Sequence, residues 1–117
     1  MLKVIQKVIS HITITALVLI LINNKVYAKE VIVNIYKKKF IPAEITIEQG
    51  DIVIWKNIEK RQYHNVWFKQ FDKEDPDYLF PDDTYQLTFD EKGTFSYECG
   101  PHPKMIGKVT VMSRNRE

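Results

Sequence analysis

The sequence has only one cysteine, Cys99, so the chain cannot form an internal disulfide. Small exported domains usually need a disulfide or a bound metal to supplement a small hydrophobic core. Zinc is a poor candidate for that metal, because a structural zinc site takes four Cys or His ligands at paired spacings. Beyond residue 28 the sequence offers only Cys99, His64 and His102 as ligands of these kinds. This inventory argues against a structural zinc site.

Helical periodicity and a surplus of positive charge are also missing. No segment after residue 28 has an amphipathic helical stripe, and the sequence contains no internal repeat or low-complexity tract. The formal net charge of +2 includes three lysines of the N-terminal segment, which contains none of the 15 acidic residues. The remainder is therefore slightly acidic, which argues against nucleic acid as a partner.

The N-terminal segment has the pattern of a secretory signal peptide. A basic start, MLKVIQK, is followed by an apolar run at residues 12–22 and by a small residue, Ala28. As a helix this run would reach about 16 Å, whereas the bilayer hydrocarbon is roughly 30 Å thick. We therefore expect residues 1–28 to be a cleaved signal peptide. Residues 29–117 should form one small periplasmic domain, with no stable membrane insertion after processing. An uncleaved membrane anchor is the alternative.

Short runs of alternating apolar and polar residues recur after the signal segment. β-Branched and aromatic residues are frequent in them, and turn signals such as Gln49-Gly50-Asp51 separate them. About seven short strands of this kind predict an all-β fold, either an antiparallel sandwich or a barrel. Trp55 and Phe40 are expected in its core. The predicted strands are residues 31–36, 44–48, 51–57, 64–68, 84–89, 93–99 and 107–111.

Residues 69–83 interrupt this pattern. They include six acidic residues, two lysines and two prolines. The segment is too long for a hairpin turn and too polar for a central strand. We expect a surface loop with at most a short edge strand near residues 78–80. The loop is either merely solvated or helps to dock a partner.

The stretch YECGPHPKM places Cys99, His102 and Met105 within seven residues. A catalytic thiolate would need a histidine as base and an orienting third group, and no helix N-terminus is evident to lower the thiol's pKa. A blue-copper centre takes two imidazoles, one thiolate and a weak axial thioether. The chain offers all four, with His64 supplied from another strand. The spacing C-x-x-H-x-x-M at a strand end therefore predicts copper as the cofactor.

At these residues the sequence resembles the cupredoxins, the plastocyanin/azurin-like blue copper proteins, and among them the amicyanins. The matching stretches are residues 40–57, 64–68 and 84–111. The resemblance implies a Greek-key antiparallel β-sandwich with one type 1 copper ion per chain at one end. The ligands that it implies are His64, Cys99, His102 and Met105. The residues that it implies around them, without metal contact, are Asn65, Gly100, Pro101 and Pro103.

Two residues depart from the amicyanin pattern. Relatives commonly have a hydroxyl residue after the cysteine, whereas this chain has Gly100, so we expect no side-chain link from that position to Asn65. The residue before the methionine is usually large and apolar, and here it is Lys104. This cation changes the surface with which amicyanins dock to methylamine dehydrogenase.

We expect a soluble one-electron carrier and not an enzyme, because a closed site of two His, one Cys and a weak Met leaves no position for a substrate. A copper nitrite reductase or oxidase would need further histidines. His102 is the expected exposed ligand, with docking residues Gln62, Tyr63 and Lys104 near it. By resemblance, the partners of this monomer are redox proteins, a dehydrogenase or a c-type cytochrome. The alternative is a periplasmic module for copper storage or delivery.

Overall fold

The computed structural model describes residues 27–114. The predicted signal peptide thus lies outside the described residues, except for its last two. Within residues 27–114 no helix is long and apolar enough to cross a membrane. The strands of this part are β1 (Glu30–Tyr36), β2 (Lys39–Ile41), β3 (Glu44–Glu48), β4 (Asp51–Asn57), β5 (Thr84–Phe89), β6 (Gly93–Cys99) and β7 (His102–Met112).

The strands form two sheets that pack as a sandwich, which confirms the predicted fold class. One sheet has the order β2-β1-β4-β5 and the other the order β3-β7-β6. The pairing is mixed, so the expectation of a wholly antiparallel sandwich needs a correction. β1 pairs with β4 in parallel, and β3 pairs with β7 in parallel. Alternating hydrophobicity cannot reveal this, because it reports which face of a strand is buried and not the direction of its neighbour.

Strand β4 shows how alternation builds the core. Its residues alternate between the buried and the more exposed face, so that Val53 and Trp55 point inward between Asp51 and Asn57. The ring of Trp55 lies 5.4 Å from that of Tyr97 and 5.9 Å from that of Phe68. These contacts join the two sheets through buried aromatic surface, the largest kind of apolar contribution to a small core. Trp55 and Phe40 are both buried, as expected.

Two short segments differ from the predicted strands. Residues 64–68 do not form a strand but contribute two isolated bridges, His64 with Leu79 and Trp67 with Glu98. The short edge strand expected near residues 78–80 is reduced to this single bridge at Leu79. The three-residue strand β2 was not predicted, because Lys39–Ile41 is too short for a visible alternation.

The two ends of the sandwich are the ends of β4. At the first end, a turn through Gly50 leads from β3 in one sheet to β4 in the other, and its φ of 89° requires glycine or a strained residue. At the second end, β4 finishes at Asn57 and β6 finishes at Cys99. β7 begins there at His102 and runs back to the first end. The predicted ligands are thereby collected at the second end.

Candidate metal centre

Three of the four predicted ligands converge. The Sγ atom of Cys99 lies 3.7 Å from Nδ1 of His64 and 3.6 Å from Nδ1 of His102. One potential ligand atom from each of the three lies within 4.8 Å of the other two. His64 and Cys99 are fully buried and His102 is half-buried, as predicted for the more exposed ligand.

Cys99 and His102 owe their proximity to the connection between β6 and β7. Cys99 is the last residue of β6 and pairs directly with His102, the first residue of β7, across a register shift. The connection contains Gly100 and Pro101, and Pro101 restricts the backbone in the turn. A short local segment therefore brings a thiol and an imidazole to the same point, as the spacing predicts.

His64 is placed by contacts that are distant in sequence. Its backbone exchanges hydrogen bonds with Leu79, at 3.1 Å and 2.6 Å. Leu79 is held in turn by Asn57, whose Nδ2 donates to the carbonyls of Leu79 at 2.9 Å and of Gln62 at 2.8 Å. The buried amide of Asn57 thus binds both Gln62, which precedes His64 by two residues, and Leu79, which pairs with His64.

Asn65 links the His64 segment to the cysteine. Its backbone N–H points at Sγ of Cys99 with an N···S distance of 3.5 Å. Its Oδ1 accepts a hydrogen bond of 2.7 Å from the backbone N–H of Gly100. Gly100 has no side chain to bind Asn65, as expected, but its backbone N–H makes the link instead. The Nδ2 group of Asn65 donates to the carboxylate of Asp75 and to the carbonyl of Pro76.

Burial favours the uncharged forms of two of the metal-free ligands, His64 and Cys99. Burial lowers the pKa of the His64 imidazole and His102 adds to this effect, whereas Glu59 opposes it. Burial raises the pKa of the Cys99 thiol, against the effect of the backbone N–H groups of Asn65 and His102. Near neutral pH the thiol is protonated, so metal binding must release its proton.

The remaining predicted residues surround His102. Met105 is buried, with 4% exposure, and lines a surface pocket together with Lys38, His102, Pro103 and Lys104. Pro103 and Lys104 are exposed and Pro101 is half-buried. Met105 thus lies beside one of the three convergent ligands; that it is the fourth ligand remains a prediction. Of the predicted docking residues, Gln62, Tyr63 and Lys104 are all exposed.

The donors fit copper. A thiolate with two imidazoles is the set that forms the trigonal plane of a blue-copper site, and a buried thioether nearby is the usual weak axial partner. The two imidazoles both turn Nδ1 toward the thiol sulfur. Nε2 of His64 faces away, 3.5 Å from Oε1 of Glu59, without hydrogen-bond geometry. Both imidazoles are therefore oriented to bind one ion through their Nδ1 atoms.

Residues 28–112 match the family model of copper-binding proteins of the plastocyanin/azurin family. This chain belongs to that family. Amicyanin from Paracoccus versutus is 41% identical over 88 residues, which cover 72% of this chain and 66% of the relative. Amicyanin-alpha from Methylorubrum extorquens is 43% identical over 84 residues, covering 68% and 69% respectively. The resemblance to amicyanins is confirmed, and His64, Cys99 and His102 are positioned as copper ligands of an amicyanin-like blue copper protein.

Solved structures lead to the same family. The crystal structure of amicyanin from Paracoccus versutus matches with a TM-score of 0.66 and 39% identity, and the match covers 75% of this chain and 86% of the other. The chain spans about two thirds of the length of its two amicyanin sequence relatives, at 66% and 69%. The family match covers residues 28–112, which include the β-sandwich and the end that carries the ligands.

Three residues of this copper end were not predicted as parts of it: Asn57, Glu59 and Asp75. Asn57 did have a signal, since it is a polar residue on the inward-facing register of a strand that otherwise buries Val53 and Trp55. A polar residue at such a position usually bonds to backbone groups of a connecting loop. Glu59 and Asp75 lie in irregular segments, where no periodicity shows which side chains turn inward.

Proposed function

We propose that this protein is a one-electron carrier of the periplasm, and that His64, Cys99, His102 and Met105 bind its copper ion. The proposal is supported by the convergence of three donor atoms within 4.8 Å in a member of a copper-binding family. When bound, copper in such a donor set supplies a couple between Cu(II) and Cu(I). A set of four protein ligands leaves no position for a substrate, which favours a carrier over an enzyme.

The protein's contribution is to hold the ligands in place. His64 and Cys99 are fully buried and tied to two different parts of the sandwich, by the backbone bridge to Leu79 and by the end of β6. Ligands fixed in this way need not rearrange when the charge at the site changes by one unit. His102 is the half-buried ligand, and its outer side is our proposed route for the electron.

The surface near the His64 segment suits brief contacts with a redox partner. Tyr63 is 45% exposed, and its ring lies 4.7 Å from that of Tyr78 and 6.0 Å from that of Phe80. We propose that Gln62, Tyr63 and Lys104 contact the partner, a dehydrogenase or a c-type cytochrome, over less than about 1,200 Å². The acidic residues of the loop 69–83 should then alter the rate of encounter, with a dependence on salt.

The test is the visible spectrum and reduction potential of the protein after loading with one equivalent of Cu(II). An intense visible band and a reversible one-electron response are expected, and the Cys99→Ser variant should lose the band. Rapid loss of copper to an apo-acceptor, without a reversible response, would instead support copper storage or delivery.

Met105 is tested separately by Met105→Leu, which keeps the apolar volume and removes the thioether. The band should persist while the potential changes, because a weak axial ligand tunes the couple without creating the copper–thiolate bond. Met112→Leu is the matched control, since Met112 is exposed at the opposite end of β7. Equal potentials for the two variants would exclude Met105 as a ligand.

A further inference from the structure

The side chain of Asp75, in the acidic loop 69–83, contacts Asn65 and lies beside Gly100, the residue that follows Cys99. Its Oδ1 accepts a hydrogen bond from Nδ2 of Asn65. Through its other amide atom, Asn65 accepts the backbone N–H of Gly100 at 2.7 Å, and its own backbone N–H points at Cys99. A single carboxylate of the loop therefore acts on the two residues that orient the thiol.

The space beside Gly100 is taken by the same carboxylate. A Cβ atom added at position 100 would lie 2.7 Å from Cγ of Asp75, far inside van der Waals contact. The φ angle of Gly100 is outside the left-handed region, so the backbone alone would accept other residues. The position of the Asp75 carboxylate, and not the backbone, is therefore what disfavours a side chain at position 100.

We propose that Asp75 is a positioning residue for Cys99. Its carboxylate occupies the place of a side chain at position 100, holds Asn65 against the backbone of Gly100, and favours the oxidised state of the copper centre. Asp75 and Gly100 form one unit, in which a side chain at position 100 is disfavoured as long as Asp75 is present. The part of this proposal that concerns oxidation state rests on the proposed copper function, and the part that concerns the Asp75–Gly100 pair does not.

The effect on oxidation state follows from charge. Cu(II) carries one more positive charge than Cu(I), so a nearby negative group stabilises the oxidised form more. Asp75 is near enough to act, because its carboxylate accepts a hydrogen bond from Asn65, whose backbone N–H points at Sγ of Cys99. Because Asp75 is exposed to solvent, screening reduces this effect.

The first experiment needs no copper. The urea midpoint of the metal-free protein is measured for wild type, Gly100→Ala, Asp75→Ala and the double variant. Gly100→Ala should lower the midpoint when Asp75 is present. In the Asp75→Ala background the same change should leave the midpoint unchanged or raise it, because alanine restricts the unfolded chain more than glycine does. Asp75→Asn keeps an acceptor oxygen for Asn65, so it should remain nearer to wild type than Asp75→Ala.

The second experiment measures the reduction potential of the copper-loaded protein for Asp75→Asn. Removing the charge should raise the potential, corresponding to a change of about threefold to tenfold in the ratio of oxidised to reduced protein. At 59 mV per tenfold change for a one-electron couple, this is about 30–59 mV. Asp77→Asn is the matched control, because it removes an exposed charge of the same loop that is not among the contacts of Asn65. Its shift should be smaller.

The outcomes separate the proposals. If Gly100→Ala lowers the midpoint equally in both backgrounds, Asp75 does not occupy the place of a side chain, and the pairing is wrong. If the midpoints behave as expected but Asp75→Asn and Asp77→Asn shift the potential equally, the effect on oxidation state is wrong. A protein in which Gly100→Ala lowers the urea midpoint only when Asp75 is present, but which binds no copper, would overturn the proposed function and leave the pairing intact.

Discussion

The two ends of strand β4 each bury one polar side chain that binds the backbone of neighbouring segments, but they do so with different chemistry. Asp51, 2% exposed, accepts hydrogen bonds from the N–H groups of Lys29 at 3.0 Å and Glu48 at 2.9 Å, and it contacts the guanidinium of Arg114. Asn57, which is fully buried, donates two hydrogen bonds to carbonyls and accepts one of 3.0 Å from the N–H of Glu59.

The difference shows what each location tolerates. A buried carboxylate can accept hydrogen bonds only from donors, and Asp51 also contacts the cation Arg114, which makes this end of the sandwich sensitive to pH. A buried amide serves donors and acceptors without net charge. At the copper end the amide organises the loops, so the charge there is left to the metal, its ligands and the acidic side chains of the loops. The predictions below compare the two ends.

The largest effect is expected from Asn57→Ala. Three hydrogen bonds are lost and the buried carbonyl of Leu79 is left without this donor, so the free energy of unfolding should fall by about 3 kcal/mol. Copper affinity should fall as well, because the segment that holds His64 is released. Urea unfolding and copper titration measure the two effects. Asn34→Ala, on the outward register of β1, is the control and should change stability by less than about 0.5 kcal/mol.

Asp51→Asn should lower the free energy of unfolding by about 2 kcal/mol at neutral pH, because the amide replaces a charge-assisted acceptor. Copper affinity should change little, since Asp51 lies at the end of β4 remote from His64. This contrast is the direct test of the comparison. A loss of copper affinity as large as that of Asn57→Ala would show that the two ends do not act independently.

The pH dependence of Asp51 has a definite sign. Burial alone would raise its pKa, but the N–H groups of Glu48 and Lys29 and the charge of Arg114 outweigh burial, so the folded-state pKa lies below its usual value. The unfolded value is about 3.9. The stabilisation is therefore fully present above about pH 4 and is lost as pH falls through the lower folded-state pKa. The difference in stability between wild type and Asp51→Asn should shrink over that range, and a constant difference would contradict this assignment.

Arg114→Gln should have the smallest effect at the Asp51 end, about 1 kcal/mol. The guanidinium also donates to the carbonyl of Gln49 at 2.9 Å, and Arg114→Lys should restore only part of the loss because an ammonium lacks the planar fork. Lys108→Gln is the control: its ion pair with Glu44 is exposed and should contribute less than about 0.5 kcal/mol. Urea unfolding compares the three variants, and equal losses for Arg114→Gln and Lys108→Gln would remove the special role of Arg114.

Local information in the sequence was sufficient for the regular strands and for part of the site. In β4 and β6 the alternation directly marks the buried face, and the step from Cys99 to His102 is too short to place its ligands far apart. The strand predicted at residues 64–68 was wrong, because the segment makes two isolated bridges instead of a continuous ladder. Four of its five residues are buried, so the alternation of residue types there does not mark two faces of a strand.

Contacts between distant residues account for what the sequence could not show. The hydrogen bond from Gly100 to Asn65 spans 35 positions. The bond from Asn65 to Asp75 joins two irregular segments, and six acidic residues of the loop 69–83 are equal candidates for it in the sequence. The parallel pairing of β1 with β4 and of β3 with β7 could not be predicted for a related reason. The residues of a strand do not indicate which strand lies beside it.

The order β3-β7-β6 has a consequence for assembly during synthesis of the chain. The middle member of this sheet, β7, is the last strand of residues 27–114, so a polypeptide that emerges N-terminus first exposes β3 and β6 before the strand that joins them arrives. Pairing between β3 and β7 also closes a long stretch of chain, which is slow. His102 belongs to this late strand. The pocket for the ion is therefore completed only after almost all of residues 27–114 have emerged, and a shorter nascent chain has no finished site to receive a metal ion.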